Sequence, residues 1–119
     1  MSTIKVDTIQ KTSGVEVYPT NIWCNHNGTG TKTINASGNV SSLTDGGTGL
    51  TTYNFGITLS SANYSVAFGC TGNLNSTVVI DAAGAGSAPD VKSTTQLGIN
   101  EIISGALGDI YDLSLHLVV

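Results

Sequence analysis

Apolar and polar residues alternate in several short runs of the chain. The last run, residues 111–119, places five apolar side chains on one face: Tyr111, Leu113, Leu115, Leu117 and Val119. Residues 50–57 alternate in the same way, with Tyr53, Phe55 and Ile57 on one face. A period of two is typical of half-buried β-strands, whereas a helix repeats its apolar positions every three or four residues. These runs therefore predict strands.

The centre of the chain contains three such runs in succession, at residues 39–44, 50–57 and 64–70. The first two are separated by the sequence DGGTG at residues 45–49. The glycines of this sequence can adopt the positive φ angles that a tight reversal needs. We therefore predict a meander of three antiparallel strands.

Other parts of the chain contain short apolar runs with turn residues between them. They predict further strands at four ranges: 20–27, 31–36, 76–81 and 91–99. Residues 102–107 predict one helical turn, which Gly105 and Gly108 prevent from extending. Many short strands with regular turns are typical of a sandwich or a barrel. We predict an all-β fold: a small antiparallel β-sandwich, jelly-roll-like or barrel-like, over residues 20–119.

The first residues of the chain differ from the predicted sheet domain. Ile4 and Val6 alternate with polar residues, and Ile9 then breaks the phase. Pro19 has no N–H to donate to a strand ladder, so it marks a boundary or a sheet edge. We predict that residues 1–19 form an extended arm, used for anchoring or oligomerisation through Ile4, Val6 and Ile9.

Composition narrows the classes of partner. Charged residues make up 10% of the chain, against about 25% in average proteins. Chains that bury much of their surface between copies need fewer charges, which predicts an oligomer; the alternative is a Ser/Thr-rich surface of the kind that secreted proteins have. The chain has four Lys and no Arg, with a formal net charge of −4, and nucleic-acid binding needs clustered cations. We expect no nucleic-acid partner.

The sequence predicts neither membrane insertion nor export. No apolar run approaches the ~18 residues that a membrane span needs. The N-terminus lacks the basic region and the apolar region of a signal peptide. The residues therefore predict synthesis in a cytosol without export through a signal peptide.

Two cysteines and two histidines are the candidates for metal or redox chemistry. Cys24 and Cys70 fall within predicted strands and form no CxxC pair, which predicts two reduced, packed thiols. The spacings typical of structural zinc sites do not occur. Cys24 and His26 share a strand face, so a trimer axis would be needed to gather them around an ion; the alternative is that His26 caps a turn. We expect no metal and no cofactor.

The sequence also argues against an enzyme. It contains no GxSxG nucleophile elbow. Its carboxylates are scattered over different predicted loops, so no pair stands out for glycoside cleavage.

A carbohydrate site is the remaining binding hypothesis. Trp23 is followed by Asn25, His26 and Asn27. An exposed aromatic ring can stack on a sugar ring, and side-chain amides can bind sugar hydroxyls. These four residues are the candidate ligand site. The alternative is that Trp23 is the main aromatic residue of the core.

Three stretches of the chain carry further motifs: the opening STIKVDTIQ, the run NHNGTGTKTINASGNVSSLTDGGTG at residues 25–49, and ANYSVAFGC at residues 62–70. They resemble a module that recurs in tail-fibre and related virion proteins of tailed bacteriophages. The match covers most of residues 1–70. The chain departs from the pattern at Gly47, where Asn is usual, and at His26, where an aromatic residue such as Phe is common.

This resemblance implies a non-enzymatic structural protein of the phage virion, exposed on the particle and assembled as a homotrimer. Its expected partners are copies of itself, other virion proteins of the tail or capsid, and host surface polysaccharide. Because tail fibres are long and this chain has 119 residues, an alternative is a capsid decoration (cement) protein whose arm lies on the head shell. A second alternative is a free carbohydrate-binding lectin.

Overall fold

The computed structural model of the protein describes residues 3–5, 8, 10–14, 20–71, 75–80 and 92–119. Within these ranges there is no helix, and so none that could cross a membrane. The strands are β1 Ile22–Asn27, β2 Thr33–Gly38, β3 Val40–Gly47, β4 Leu50–Phe55, β5 Ser65–Thr71, β6 Ser76–Ile80, β7 Gln96–Ile103, β8 Ala106–Leu107 and β9 Asp112–Val118. The predicted all-β class is confirmed.

Two antiparallel sheets pack face to face. The first sheet has the strand order β2-β1-β9-β5, and the second has the order β3-β4-β7-β6, with β8 paired to β7. The β-sandwich prediction is therefore confirmed. In the first sheet β9 is a central strand, because it pairs with β1 on one side and with β5 on the other.

The predicted three-stranded meander is wrong in its third strand. β3 pairs with β4 as expected, but β5 pairs with β9 in the other sheet. The chain crosses between the sheets in the segment after β4, where Leu59 and Tyr64 are buried and the Leu59 N–H donates to the Thr94 carbonyl. Alternation identifies a strand, but it carries no information about that strand's partner.

The core lies between the sheets and follows the alternation of the strands. From β9 it receives Leu113, Leu115 and Leu117, all fully buried. Its other members are Ile22, Cys24, Tyr53, Phe55, Leu59, Tyr64, Leu97, Ile99 and Ile110. The ends of the predicted apolar faces fall outside this core. Tyr111 is 57% exposed, and Ile57 and Val119 are also exposed, because each lies beyond the end of its strand.

The predicted helical turn at residues 102–107 is a β-hairpin. β7 continues to Ile103, and the chain reverses at Ser104 and Gly105, whose φ angles are 51° and 84°. Two successive positive φ angles are the geometry of a type I′ turn, whose twist matches that of paired strands. Glycine at the second position permits this turn.

The two cysteines have different environments, and neither is in a disulfide. Cys24 is packed in the core as predicted, and burial raises the pKa of its thiol to about 11. Cys70 is exposed, contrary to the prediction, because it lies near the end of β5, an edge strand.

Part of the predicted arm belongs to the described residues. Ile4 is 89% exposed. Val6, Ile9 and the predicted boundary at Pro19 lie outside the described residues.

Candidate functional site

The candidate ligand residues lie on opposite faces of β1. Trp23 and Asn25 point away from the core, whereas Cys24 and His26 point into it. His26 is fully buried and does not cap a turn. Successive residues of a strand face opposite sides of its sheet, so His26 does not share a surface with Trp23 and Asn25.

Asn27 orders the turn that follows β1. Its side-chain oxygen accepts hydrogen bonds from the Thr29 N–H at 3.0 Å and from the Thr29 hydroxyl at 2.8 Å. This is the local side-chain-to-backbone bonding that stabilises turns. The NGTG motif therefore begins with a structural asparagine.

His26 belongs to a buried polar cluster at one end of the core, formed by His26, Lys32, Thr51, Tyr53 and Glu101. The side chains of His26 and Glu101 are fully buried, and that of Lys32 is 1% exposed. Sequence reasoning did not identify Lys32 or Glu101, because nothing in their local sequence distinguishes them from surface residues. Burial of a charged side chain requires partners.

The carboxylate of Glu101 has such partners on both oxygens. Oε1 accepts a hydrogen bond from the Thr51 hydroxyl at 2.8 Å, and Oε2 accepts one from the Ile110 N–H at 2.8 Å. Oε1 also lies 3.7 Å from His26 Nε2 and 3.9 Å from Lys32 Nζ. Glu101 thus joins β7 to β4, to the segment before β2 and to the segment before β9.

Lys32 is enclosed by oxygen atoms. Its Nζ donates to the Leu50 carbonyl at 2.7 Å, the Thr51 hydroxyl at 2.8 Å and the Gly47 carbonyl at 3.2 Å. The ammonium has three N–H donors, and these three bonds use them all. Carboxylate oxygens of Asp45 and Asp109 lie 3.6 and 4.0 Å away.

The histidine ring completes the cluster through Tyr53. The Tyr53 hydroxyl and His26 Nδ1 are 3.2 Å apart, and the rings meet edge to face. Burial, together with the nearby Cys24 and Glu101, raises the pKa of Tyr53 well above its ordinary value, so the phenol stays protonated. His26 Nε2 has no hydrogen-bond partner among the described residues.

Two glycines of the sequence motifs lie against Glu101. A Cβ atom on Gly28, in NGTG, would come within 2.8 Å of Glu101 Oε2 and 2.3 Å of the Ile110 carbonyl oxygen. A Cβ atom on Gly49, at the end of DGGTG, would come within 2.7 Å of the Glu101 carbonyl oxygen, and its φ of +72° also favours glycine. Gly28 is therefore required by the Ile110 carbonyl and the Glu101 carboxylate, and Gly49 by the Glu101 backbone and its own positive φ.

The net effect of the cluster is to favour the charged form of Glu101. Burial raises the pKa of the carboxyl, but the interactions with His26, Ile110 and Thr51 and the charge of Lys32 outweigh it, so that the pKa lies below its ordinary value of 4.5. Because the central side chains are closed to solvent, this cluster stabilises the fold and offers no surface to a ligand.

Replacing the carboxylate tests this electrostatic role. We expect Glu101→Gln to lower the free energy of unfolding by about 3 kcal/mol near pH 7, at the low end of the cost of unpairing a buried charge, because Asp45 and Asp109 still face Lys32. Asp45→Asn is the control; Asp45 is partly exposed, and we expect a change below about 1 kcal/mol.

The pH dependence has a definite sign. A pKa lowered by folding means that the unfolded chain binds the proton more tightly, so the carboxylate stabilises the protein above its ordinary pKa of 4.5 and loses this effect as the pH falls through the lowered pKa. In urea unfolding from about pH 7 to about pH 3, the stability difference between wild type and Glu101→Gln should shrink. A stability difference that stays constant over this pH range would contradict the stabilising role of the Glu101 carboxylate.

The outer face of the first sheet carries Trp23. The indole is 38% exposed, so Trp23 is not the central core aromatic; Tyr53 and Phe55 take that place. Trp23 pairs with Gly38 of β2, and a Cβ atom on Gly38 would lie 2.2 Å from the indole Nε1. The indole thus occupies the space over β2 that any other residue would fill. On its other side, Trp23 pairs with the exposed His116 of β9.

Beside Trp23, hydrogen-bonded side chains form a polar row across all four strands: Asn35, Asn25, Ser114, Asp112 and Thr71. Asn35 donates its amide to Asn25 Oδ1 at 2.9 Å. The Asn25 amide donates to Asp112 Oδ1 and, at 3.1 Å, to the Ser114 hydroxyl. The Thr71 hydroxyl donates to Asp112 Oδ2 at 3.2 Å. Each side chain is thereby held by a neighbouring strand.

The charge of this face comes from one residue. Across β1, β2, β5 and β9, the only Asp, Glu or Lys is Asp112. Among the residues that the structure describes, no group of three or more His, Cys, Asp and Glu could hold a metal ion. The face therefore offers an aromatic surface, the imidazole of His116, amides, hydroxyls and one carboxylate.

A methyl group on Gly38 tests the position of the indole. We expect Gly38→Ala to displace Trp23, shift its fluorescence emission to longer wavelength and destabilise the protein by about 1–3 kcal/mol, the usual cost of overpacking. Gly69→Ala is the matched control in the same sheet, because a Cβ atom there meets nothing within 4 Å. Emission spectra and urea unfolding measure both effects. An unchanged Gly38→Ala spectrum would contradict this packing.

No family model, curated protein or solved structure matches the chain. The resemblance to the phage module therefore rests on the motifs quoted from residues 1–70. The structure gives two of those motifs a physical role, through Gly28 and Gly49 against Glu101. The outer face around Trp23 combines a partly exposed aromatic side chain with the ordered side chains of the polar row.

Proposed function

We propose that the protein is a non-enzymatic structural protein of a tailed-phage virion, of the tail-fibre type, and that the outer face of its first sheet contacts glycans of the host surface. The motifs of residues 1–70 support the virion role. The single observation that supports the glycan role is the partly exposed indole of Trp23 beside the hydrogen-bonded polar row.

The chemistry of this surface suits a sugar. The apolar face of a pyranose ring packs on an aromatic side chain, while its hydroxyls need fixed polar partners. Trp23 supplies the aromatic surface, and Asn25 and Asp112 lie further along the same sheet face.

The side chains of the polar row are also held in place by their own hydrogen bonds, without a ligand. Asn25 is bonded to three other side chains on β2 and β9, so its amide is already fixed in one orientation. A surface whose side chains are already ordered loses less entropy on binding. Copies of the protein on one particle would make such contacts together, which strengthens the overall binding.

A second candidate role is capsid decoration, in which residues 1–19 order on the head shell. The observation that favours it is the 89% exposure of Ile4. An exposed apolar side chain in an extended segment gains stability when a partner surface covers it.

Binding of the purified protein to host cells and to phage particles lacking it separates these roles. We expect Trp23→Ala to reduce binding to host cells at least about tenfold, since a stacked aromatic contributes on the order of 1 kcal/mol or more. Tyr111→Ala is the matched control: Tyr111 is another exposed aromatic, but it precedes β9 and is in phase with the core-facing Leu113.

The opposite pattern would contradict the glycan role. Binding to particle heads that Ile4→Asp abolishes and Trp23→Ala leaves intact, with no binding to cells, would favour the decoration protein. Thermal unfolding of each variant shows whether a loss of binding reflects a loss of folding.

A further inference from the structure

The hydrogen bonds within the polar row leave it with more free acceptors than donors; the remaining donors are the Ser114 hydroxyl hydrogen and the second amide hydrogen of Asn35. Both amide hydrogens of Asn25 are used, on Asp112 and Ser114. The hydroxyl hydrogen of Thr71 is used in a hydrogen bond to Asp112 Oδ2. Each carboxylate oxygen of Asp112 accepts one hydrogen bond in the row and has capacity for another. The side-chain oxygen of Asn35 makes no bond within the row and is an additional acceptor.

Such a surface selects the chemistry of its ligand. Free acceptors bind hydrogen-bond donors, and sugar hydroxyls are donors. Carboxylate, phosphate and sulfate groups are acceptors only, and the charge of Asp112 repels them. No lysine lies in β1, β2, β5 or β9 to offset this repulsion.

The lysines elsewhere in residues 20–119 do not offset the repulsion between Asp112 and an anionic ligand. Lys32 is enclosed in the buried cluster. Lys92 lies over the ring of Tyr64 at 4.7 Å and bridges to Leu97 of the second sheet. An anionic polymer on the outer face would therefore meet Asp112 without a lysine of these strands to pair with.

We propose that the outer face of the first sheet binds uncharged polysaccharide and discriminates against acidic polysaccharide. This proposal rests on the proposed glycan-contacting function and specifies its ligand class. One pyranose ring packs against Trp23, and hydroxyls of the chain donate to Asp112 and Asn35. Trp23 and Asn25 are two residues apart on one strand, about 7 Å at the usual rise, which places ring contact and hydroxyl contacts within reach of one short segment of glycan.

The experiment uses the single tryptophan of the chain as its reporter. Polysaccharide released from host cells is separated by anion exchange into an uncharged and an acidic fraction, and each is titrated into the protein. We expect the uncharged fraction to shift the Trp23 emission to shorter wavelength, as the indole leaves water. We expect the acidic fraction to have at least about tenfold lower affinity, since unfavourable charge contacts of this kind cost over 1 kcal/mol.

An isosteric variant tests the role of the carboxylate. We expect Asp112→Asn to weaken binding of the uncharged fraction about tenfold, because hydrogen bonds to a charged acceptor become neutral ones. Asp112→Asn should also reduce the difference in affinity between the uncharged and the acidic fraction. Asp45→Asn makes the same charge change on β3 of the second sheet and should bind like the wild type.

The outcomes distinguish a failure of this proposal from a failure of the proposed glycan-contacting function. A response to the uncharged fraction alone, weakened by Asp112→Asn, supports the proposal. A response to the acidic fraction alone overturns the proposal and leaves the glycan-contacting function standing. A response to neither fraction overturns both.

Discussion

The buried pair formed by Lys32 and Glu101 is the interaction on which much of this structure depends. Taking two charges out of water costs several kcal/mol, and only a complete set of partners offsets that cost. Here the set includes the Thr51 hydroxyl, the Ile110 N–H and two backbone carbonyls. These partners belong to β3, β4 and the segment before β9, so the pair can be buried only when those segments are correctly placed. Gly28 and Gly49 allow two turns to approach Glu101 closely.

Strand β1 connects this interior constraint to the surface. Its inward side chain His26 lies between Tyr53 and Glu101, and its outward side chains Trp23 and Asn25 face solvent. Because neighbouring residues of one strand share a backbone, fixing His26 in the core also fixes the position of the indole and the amide. The outer face is thus a rigid surface on a packed sheet, which is the kind of element that holds binding residues well.

Local patterns in the sequence were sufficient for most strands and for the all-β class. The alternation around Leu113, Leu115 and Leu117 predicted a strand that the structure places at the centre of a sheet. Pairing was not predictable in the same way, because it depends on distant residues: Asn25 and Asp112 meet across 87 positions of sequence. The roles of Lys32 and Glu101 could not be predicted either, because their partners are also distant in the sequence. His26 and Trp23 were grouped by proximity in sequence, although strand geometry places them on opposite faces.

Backbone amide chemical shifts measured by NMR, with and without the uncharged fraction of host polysaccharide, show where the glycan contacts the protein. We expect the largest changes at the Trp23 indole N–H and at amides of β1, β2 and β9 beside the polar row. Amides around Glu101 should change little, since the buried cluster does not meet the ligand. Changes concentrated on the second sheet, or in residues 1–19, would contradict glycan binding at the outer face of the first sheet.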